Sequence, residues 1–283
     1  MKYGALYRLG TERLTAAGIG EASLDARLLL EHICHTDRNA LLVHAETEVE
    51  QARTQRYLDA VAERARRVPL QYITGVQEFM GLSFAVNEHV LIPRQDTEIL
   101  VEEAMRELHD GMRILDMCTG SGCVLLSLLR YSNDCVGTGV DISAAALAVA
   151  GKNAAALGLE ADFREGDLFA GLESGSRFDM LVSNPPYIRT DVIPGLMEEV
   201  RSHEPLTALD GKEDGLHFYR RISREAKAYL NGGAGVFLEI GFDQGADVRR
   251  ILEDAGYDSV EIVKDYAGHD RVARCIWQEK ENV

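Results

Sequence analysis

The chain has 283 residues, of which 46% are hydrophobic and 27% charged, and its formal net charge is −16. This length suits one large domain plus a smaller one, and the lack of any run of about 18 apolar residues excludes a membrane-spanning helix. The acidity disfavours non-specific binding to phosphate backbones, and it is uneven: residues 1–90 carry 10 Lys and Arg against 12 Asp and Glu, residues 91–283 carry 20 against 34.

Residues 1 to about 75 read as helical. The N-terminus, "MKYGALYRLGTERLTAAG", has charges among its apolar residues and is not a signal peptide. "EASLDARLLLEHIC" places Leu24, Leu28, Leu29 and Ile33 at helical spacing, with Ser23 as the expected N-cap. "ETEVEQARTQRYLDAVAERARR" is a more polar amphipathic helix stopped by Pro69, and Arg64, Arg66 and Arg67 are expected at its solvated end. "EFMGLSFAVN" (78–87) predicts a hairpin turning at Gly81. "VLIPRQDTEILVEEAMREL" predicts a connection broken by Pro93 and then a helix capped by Asp96 or Thr97.

From about residue 112, strand and helix patterns alternate. "MRILDM" is a strand, "CVLLSLLRY" a helix, "CVGTGVD" a strand, "SAAALAVAGKNAAALG" a helix, and "ADFREGD" and "FDMLVSN" two more strands. "GLHFYRRISREAKAYL" is a helix, "GAGVFLEIG" a strand, "QGADVRRILEDAG" a helix, and "SVEIVKD" and "RVARCIWQE" the final strands. The alternation predicts a largely parallel sheet with helices on both faces. The link "YAGHD" is too short for a crossover helix, so the last two strands should pair antiparallel. The five cysteines (34, 118, 123, 135 and 275) form no C-x-x-C pair and are odd in number, which points to a reducing cytoplasm and not to a disulfide framework or a zinc site.

Chemistry is concentrated at strand ends. "ILDMCTGSGCVLL" joins a strand, the acidic Asp116 and a loop whose Gly120 and Gly122 would let a ligand approach the backbone. Asp141 ends the next strand 25 residues after Asp116, where a carboxylate suits paired ribose hydroxyls, and a third strand end carries Asp167 and Leu168. A dinucleotide is disfavoured because position 118 is Cys, which breaks G-x-G-x-x-G, and because Asp116 would repel a pyrophosphate. The same carboxylate suits the ammonium or sulfonium of S-adenosylmethionine.

The fourth strand runs into "SNPPYI" (183–188). Each proline holds the preceding residue extended and gives no N–H to a ladder, so the strand stops there. A backbone carbonyl and the side-chain oxygen of Asn184 then offer two acceptors to a planar NH2 group, and Tyr187 can cover its face. An amide nitrogen is a weak nucleophile, so such a site works by positioning, worth up to about 7–11 kcal/mol of barrier.

Together "DMCTGSG", "GVD" (139–141), "GDLF" and "NPPY" resemble class I S-adenosylmethionine-dependent amino-methyltransferases. "PLQYITG" (69–75), "VLIPRQDTE" (90–98), "EPLTALDGKEDGLHFYRRI" (204–222), "LEIGFDQG" (238–245) and "KDYAGHDRV" (264–272) narrow the resemblance to the peptide chain release factor glutamine methyltransferases, over nearly the whole chain. "NPPY" alone is shared with amino-methyltransferases of nucleic-acid bases, the alternative reading; a non-catalytic binding protein is disfavoured by the intact Asp141, Asp167 and Asn184.

The resemblance implies a Rossmann-like, mostly parallel sheet with an antiparallel C-terminal strand and a small N-terminal helical domain. The expected division is a helical substrate-recognition domain at 1–77, a hairpin and linker at 78–95, and a methyltransferase domain at 96–283. The implied reaction moves a methyl group from S-adenosylmethionine to the side-chain N5 of the glutamine in the Gly-Gly-Gln motif of class 1 release factors. The cofactor would meet Asp116, the loop Cys118, Thr119, Gly120, Ser121 and Gly122, then Asp141, Asp167, Leu168 and Asn184. The substrate amide would meet Asn184, Pro185, Pro186 and Tyr187. The implied enzyme is a cytoplasmic monomer that needs no metal, membrane or direct nucleic-acid contact, and its helical domain grips the release factor. Two positions depart from the family pattern: Cys118 stands where Gly is usual, and Gln95 where Pro is common. Because Cys disfavours positive φ, a negative φ is expected at 118.

Overall fold

The computed structural model describes residues 1–279. In chain order the elements are α1 (Tyr3–Ala16), α2 (Ala22–Cys34), α3 (Arg38–Val43), α4 (Gln51–Ala65), α5 (Leu70–Thr74), β1 (Val76–Phe79), β2 (Leu82–Ala85), α6 (Glu98–Arg106), β3 (Arg113–Met117), α7 (Cys123–Arg130), β4 (Val136–Asp141), α8 (Ala144–Leu157), β5 (Asp162–Glu165), β6 (Phe178–Ser183), α9 (Glu198–His203), α10 (Leu206–Leu209), α11 (His217–Glu225), β7 (Leu230–Glu239), α12 (Gly245–Asp254), β8 (Asp258–Lys264) and β9 (Asp270–Trp277). The chain divides into two compact units, one of residues 1–76 with 197–203, the other of 77–196 with 204–283.

The first unit is helical. Its core joins Leu6 and Leu14 of α1, Ala26, Leu29, Leu30 and Ile33 of α2, and Tyr57 and Val61 of α4. The expected cap at Ser23 is not used: α2 begins at Ala22, with Glu21 at the N-cap position and no side-chain cap bond. The end of α4 also departs from expectation. Arg64 is not solvated but 9% exposed, and it donates from Nε to Asp25 at 2.7 Å and from Nη1 to Glu199 of α9 at 3.1 Å. Arg67 donates to the same Glu199 carboxylate at 3.3 Å. The amphipathic pattern could not show this, because the second carboxylate comes from far along the chain.

In the second unit the seven-stranded sheet runs β5-β4-β3-β6-β7-β9-β8. The first four pairings are parallel, and β9 lies antiparallel to both β7 and β8. Alternate residues supply two cores, as a period of two requires. Leu115, Met117, Leu181, Val236 and Leu238 face one core with Tyr219 and Ile222 of α11 and Val248 and Leu252 of α12. Ile114, Met180, Val182 and Phe237 face the other with Ile99 and Leu100 of α6 and Val124 and Leu125 of α7. Each fully buried side chain of this size contributes about 1.5–3 kcal/mol, so both faces hold the central strands in place. The hairpin β1–β2 turns at Met80 and Gly81, as expected. Helix α11 is shorter than the pattern suggests, because Ala226–Ala228 tighten into a 3-10 turn before β7.

Candidate active site

Chain order reverses between β3 and β6: from β3 it runs outward through β4 and β5, from β6 outward through β7. Such a switch point leaves a crevice at the carboxyl ends of the strands. A cavity of about 340 Å³ opens there, lined by Asp116 of β3 and Cys118, Thr119, Gly120 and Ser121 after it, Asp141 at the end of β4, Asp167 and Leu168 after β5, and Asn184 and Pro186 after β6. Of the residues expected from the sequence, Gly122, Pro185 and Tyr187 do not line it.

The loop after β3 turns sharply, because the Thr119 N–H donates to the Val140 carbonyl at 3.0 Å. Cys118 takes the turn at φ +63°, which overturns the expected negative value; Gly120 and Gly122 follow at φ +55° and +78°. The two glycines have different duties. A Cβ on Gly120 would meet nothing within 4 Å, so its bare backbone faces the cavity, whereas one on Gly122 would press on Leu126 and Ala150 at 3.1 and 3.2 Å. Gly122 thus serves helix packing, and close ligand approach falls to Gly120. Burial raises the Cys118 thiol well above its ordinary range, so it is not a thiolate at neutral pH.

Asp116 is 1% exposed, and its carboxyl is pushed up to about 7, chiefly by burial. The Thr119 hydroxyl donates to it at 2.6 Å. Asp141 is fixed by two backbone donors, Gly120 N–H and Ser143 N–H, each at 2.9 Å. Its carboxyl is also raised, first by burial, with the backbone donors opposing. A carboxylate with two donors keeps lone pairs for further hydroxyls. Leu168 is buried at φ +53°, and Asp167 before it accepts from Arg221 at 2.7 Å.

At the end of β6, the Ser183 hydroxyl donates to the Met117 carbonyl at 2.5 Å and ties the strand to β3. Asn184 Nδ2 donates to Thr97 Oγ1 at 3.2 Å, so the amide oxygen is the end not committed to Thr97. The Tyr187 hydroxyl donates to Glu239 at 3.3 Å, turned away from the cavity lining and unlike a ring laid over a bound group. Its backbone is held closely. Gln244 donates to the Tyr187 carbonyl at 3.0 Å, and Gly211 N–H donates to the Ile188 carbonyl at 2.7 Å. A Cβ on Gly215 would stand 2.5 Å from the Tyr187 carbonyl oxygen, and one on Gly211 2.7 Å from Tyr187 backbone atoms. The glycines of "LDGKEDG" therefore let that segment lie against "NPPY".

Some residues at the site gave no signal of their own in the sequence. Thr97, expected only as a cap, makes no capping bond and instead holds Asn184. Arg94 lines the cavity and reaches the buried Glu204 at 2.5 Å. Both lie in segments that carried the family resemblance, the one clue that could have found them.

Residues 5–75 match the family model of the PrmC N-terminal domain, and residues 95–199 match that of the methyltransferase small domain. The release factor glutamine methyltransferase of Clostridium acetobutylicum is 43% identical over 257 residues, spanning 89% of this chain and 90% of that protein. Its namesake from Moorella thermoacetica is 45% identical over 264 residues, spanning 92% and 93%. The solved methyltransferase of Pyrococcus furiosus, 18% identical, shares the fold over 81% of this chain and all of its own with a TM-score of 0.54. With relatives this similar over nearly their whole length, the chain belongs to the release factor glutamine methyltransferase family.

Proposed function

We propose that the protein transfers a methyl group from S-adenosylmethionine to the side-chain N5 of the glutamine in the Gly-Gly-Gln motif of class 1 release factors, in the cytoplasm. The carrying observation is that Asn184 shares one cavity with the three acidic strand ends. The fit of the cofactor rests on the chain's own groups. Asp116 is a buried carboxyl that a cation would complete, Gly120 offers open backbone, and Ser121 Oγ is buried with no hydrogen-bond partner among the described residues.

In this reading Asp116 would favour the methionine ammonium and the sulfonium, Asp141 would hold the ribose hydroxyls, and Asp167 and Leu168 would flank the adenine. Bound there, S-adenosylmethionine supplies an electrophilic methyl carbon. Asn184 Oδ1, on the cavity wall, and the Pro185 carbonyl, which the family resemblance assigns although Pro185 lies outside the lining, would accept the two hydrogens of the substrate NH2 and hold its nitrogen toward that carbon. Pro186 walls the slot. Tyr187 fixes the motif from behind. The residues contribute alignment, worth up to about 7–11 kcal/mol, and not a general base; the amide proton leaves during or after transfer. The helical unit, matched by the PrmC N-terminal domain, holds the release factor away from the chemistry.

One assay tests this. Purified protein is incubated with labelled S-adenosylmethionine and, separately, release factor, its Gly-Gly-Gln Gln→Ala variant, and total RNA. Label is expected on the first alone. Label on RNA and not on release factor would replace this reading with a base methyltransferase.

A further inference from the structure

An amide side chain has an acceptor end and a donor end, and turning it over exchanges them in place. Only one orientation of Asn184 suits the proposed reaction: Oδ1 must meet the substrate NH2. Whatever sets that orientation therefore controls turnover.

The Asn184 Nδ2 donates to Thr97 Oγ1 at 3.2 Å, and Thr97 is 3% exposed on the cavity wall. A hydroxyl has one proton. With its oxygen accepting from Asn184, Thr97 must send that proton elsewhere. Glu239, 2% exposed and outside the cavity lining, is the carboxyl whose charged form the Thr97 hydroxyl stabilises. Its Oε1 accepts from the Tyr187 hydroxyl at 3.3 Å. Its Oε2 has no hydrogen-bond partner among the described residues, so an acceptor stands ready for the Thr97 proton. Arg271 is the cation facing this carboxyl and Asp96 the anion. Burial pushes the Glu239 carboxyl up to about 7, with the Thr97 hydroxyl and Arg271 opposing, so above that pH it is an ionised carboxylate that only accepts and cannot donate to Thr97 and reverse the chain of bonds. Desolvation makes an ionisable group costly there, and packing alone would not require one.

We infer that Glu239, acting through Thr97, is a positioning residue that holds the Asn184 amide with Oδ1 toward the cavity. The inference rests on the reading of Asn184 as the acceptor for the substrate amide. A Gln at 239 can donate as well as accept, and a Val at 97 leaves Nδ2 without its partner; either change frees the amide to turn over.

The test is steady-state methyl transfer to release factor by full-length wild type, Thr97→Val, Thr97→Ser, Glu239→Gln and the Val/Gln double variant. Cofactor binding and melting temperature are measured on each. Thr97→Val should lower kcat by about 100-fold with little change in KM or cofactor affinity, since small misplacement at a reacting centre has that scale of effect. Thr97→Ser should restore most of the rate. The double variant should be no slower than the slower single variant, because the two residues act as one unit. A folded, cofactor-binding Thr97→Val enzyme with wild-type kcat would overturn the inference, as would fully additive losses. A folded, cofactor-binding Glu239→Gln enzyme with wild-type kcat would overturn it equally; if Glu239→Gln does not fold, Glu239→Asp, which keeps the carboxylate on a shorter stem, takes its place and should also lower kcat. Wild type that transfers nothing to release factor would defeat the functional reading and this inference together; wild-type turnover with an unaffected Thr97→Val defeats the inference alone.

Discussion

Cys118 occupies backbone space that glycine fills freely. At φ +63° a residue with a Cβ is strained by about 1–2 kcal/mol, while glycine would cost about 0.4–1 kcal/mol through the unfolded chain. Cys118 also packs against the core under the sheet, which offsets part of the strain. Cys118→Gly should thus leave stability unchanged or raise it by up to about 1 kcal/mol, measured by urea unfolding. Asp116 allows a sharper prediction. Its carboxyl stands at about 7, so it is largely protonated below that pH and charged above it. A cationic ligand favours the charged form. Cofactor affinity should therefore fall as pH drops below about 7, approaching a limit of about tenfold per pH unit, and level off above it. Asp116→Asn should bind more weakly and without that slope in calorimetry from pH 5.5 to 8.5. Acidic strand ends such as Asp116 and Asp141 are legible in a sequence because each closes an apolar run. The φ of Cys118 was not, because the Thr119–Val140 hydrogen bond that holds the loop ties it to a strand far along the chain, β4.

Among the elements, the second unit is easier to read than its connections. Strand and helix alternate with clear periods, and the short "YAGHD" link does give the antiparallel β8–β9 pair. What the pattern lacked was the way segment 209–215 backs the "NPPY" loop. Ile188 N–H donates to the Leu209 carbonyl at 3.0 Å and Thr190 N–H to the Lys212 carbonyl at 3.1 Å, contacts between pieces without regular periodicity. Gly215 is the tight point, at φ +74° with the Tyr187 carbonyl and Gln244 Nε2 against its open face. Gly215→Ala should cost at least about 1–2 kcal/mol from backbone conformation alone, plus the shift needed to clear Tyr187. Because that shift moves the acceptors proposed for the substrate amide, kcat should fall further than cofactor affinity. Equal losses in both would mean that the segment supports the fold in general and not the loop.

At the scale of the molecule, the first unit is not continuous in sequence. Residues 197–203 belong to it, although they follow β6 in the chain. Glu199 is the chemical reason, since its carboxylate receives Arg64 at 3.1 Å and Arg67 at 3.3 Å. Nothing in "MEEVRSH" announces this: its charges look like those of any exposed helix, and their partners lie over 130 residues earlier. Removing one member of a buried ionic cluster leaves the others desolvated and unpaired, which costs about 3–5 kcal/mol when no other partner remains. Arg64 keeps Asp25 at 2.7 Å when Glu199 is lost, so Glu199→Ala should cost less, about 1–2 kcal/mol. Arg64→Ala strands both Asp25 and part of the Glu199 charge and should reach the larger figure. Both losses should appear in the unfolding transition of the helical unit, followed by hydrogen exchange of α2 and α4. The exchange of β3 and β6, and the affinity for the cofactor, should stay as in the wild type. Faster exchange throughout the sheet would instead show that the two units unfold as one cooperative body, and that Glu199 stabilises the whole chain and not the helical unit alone.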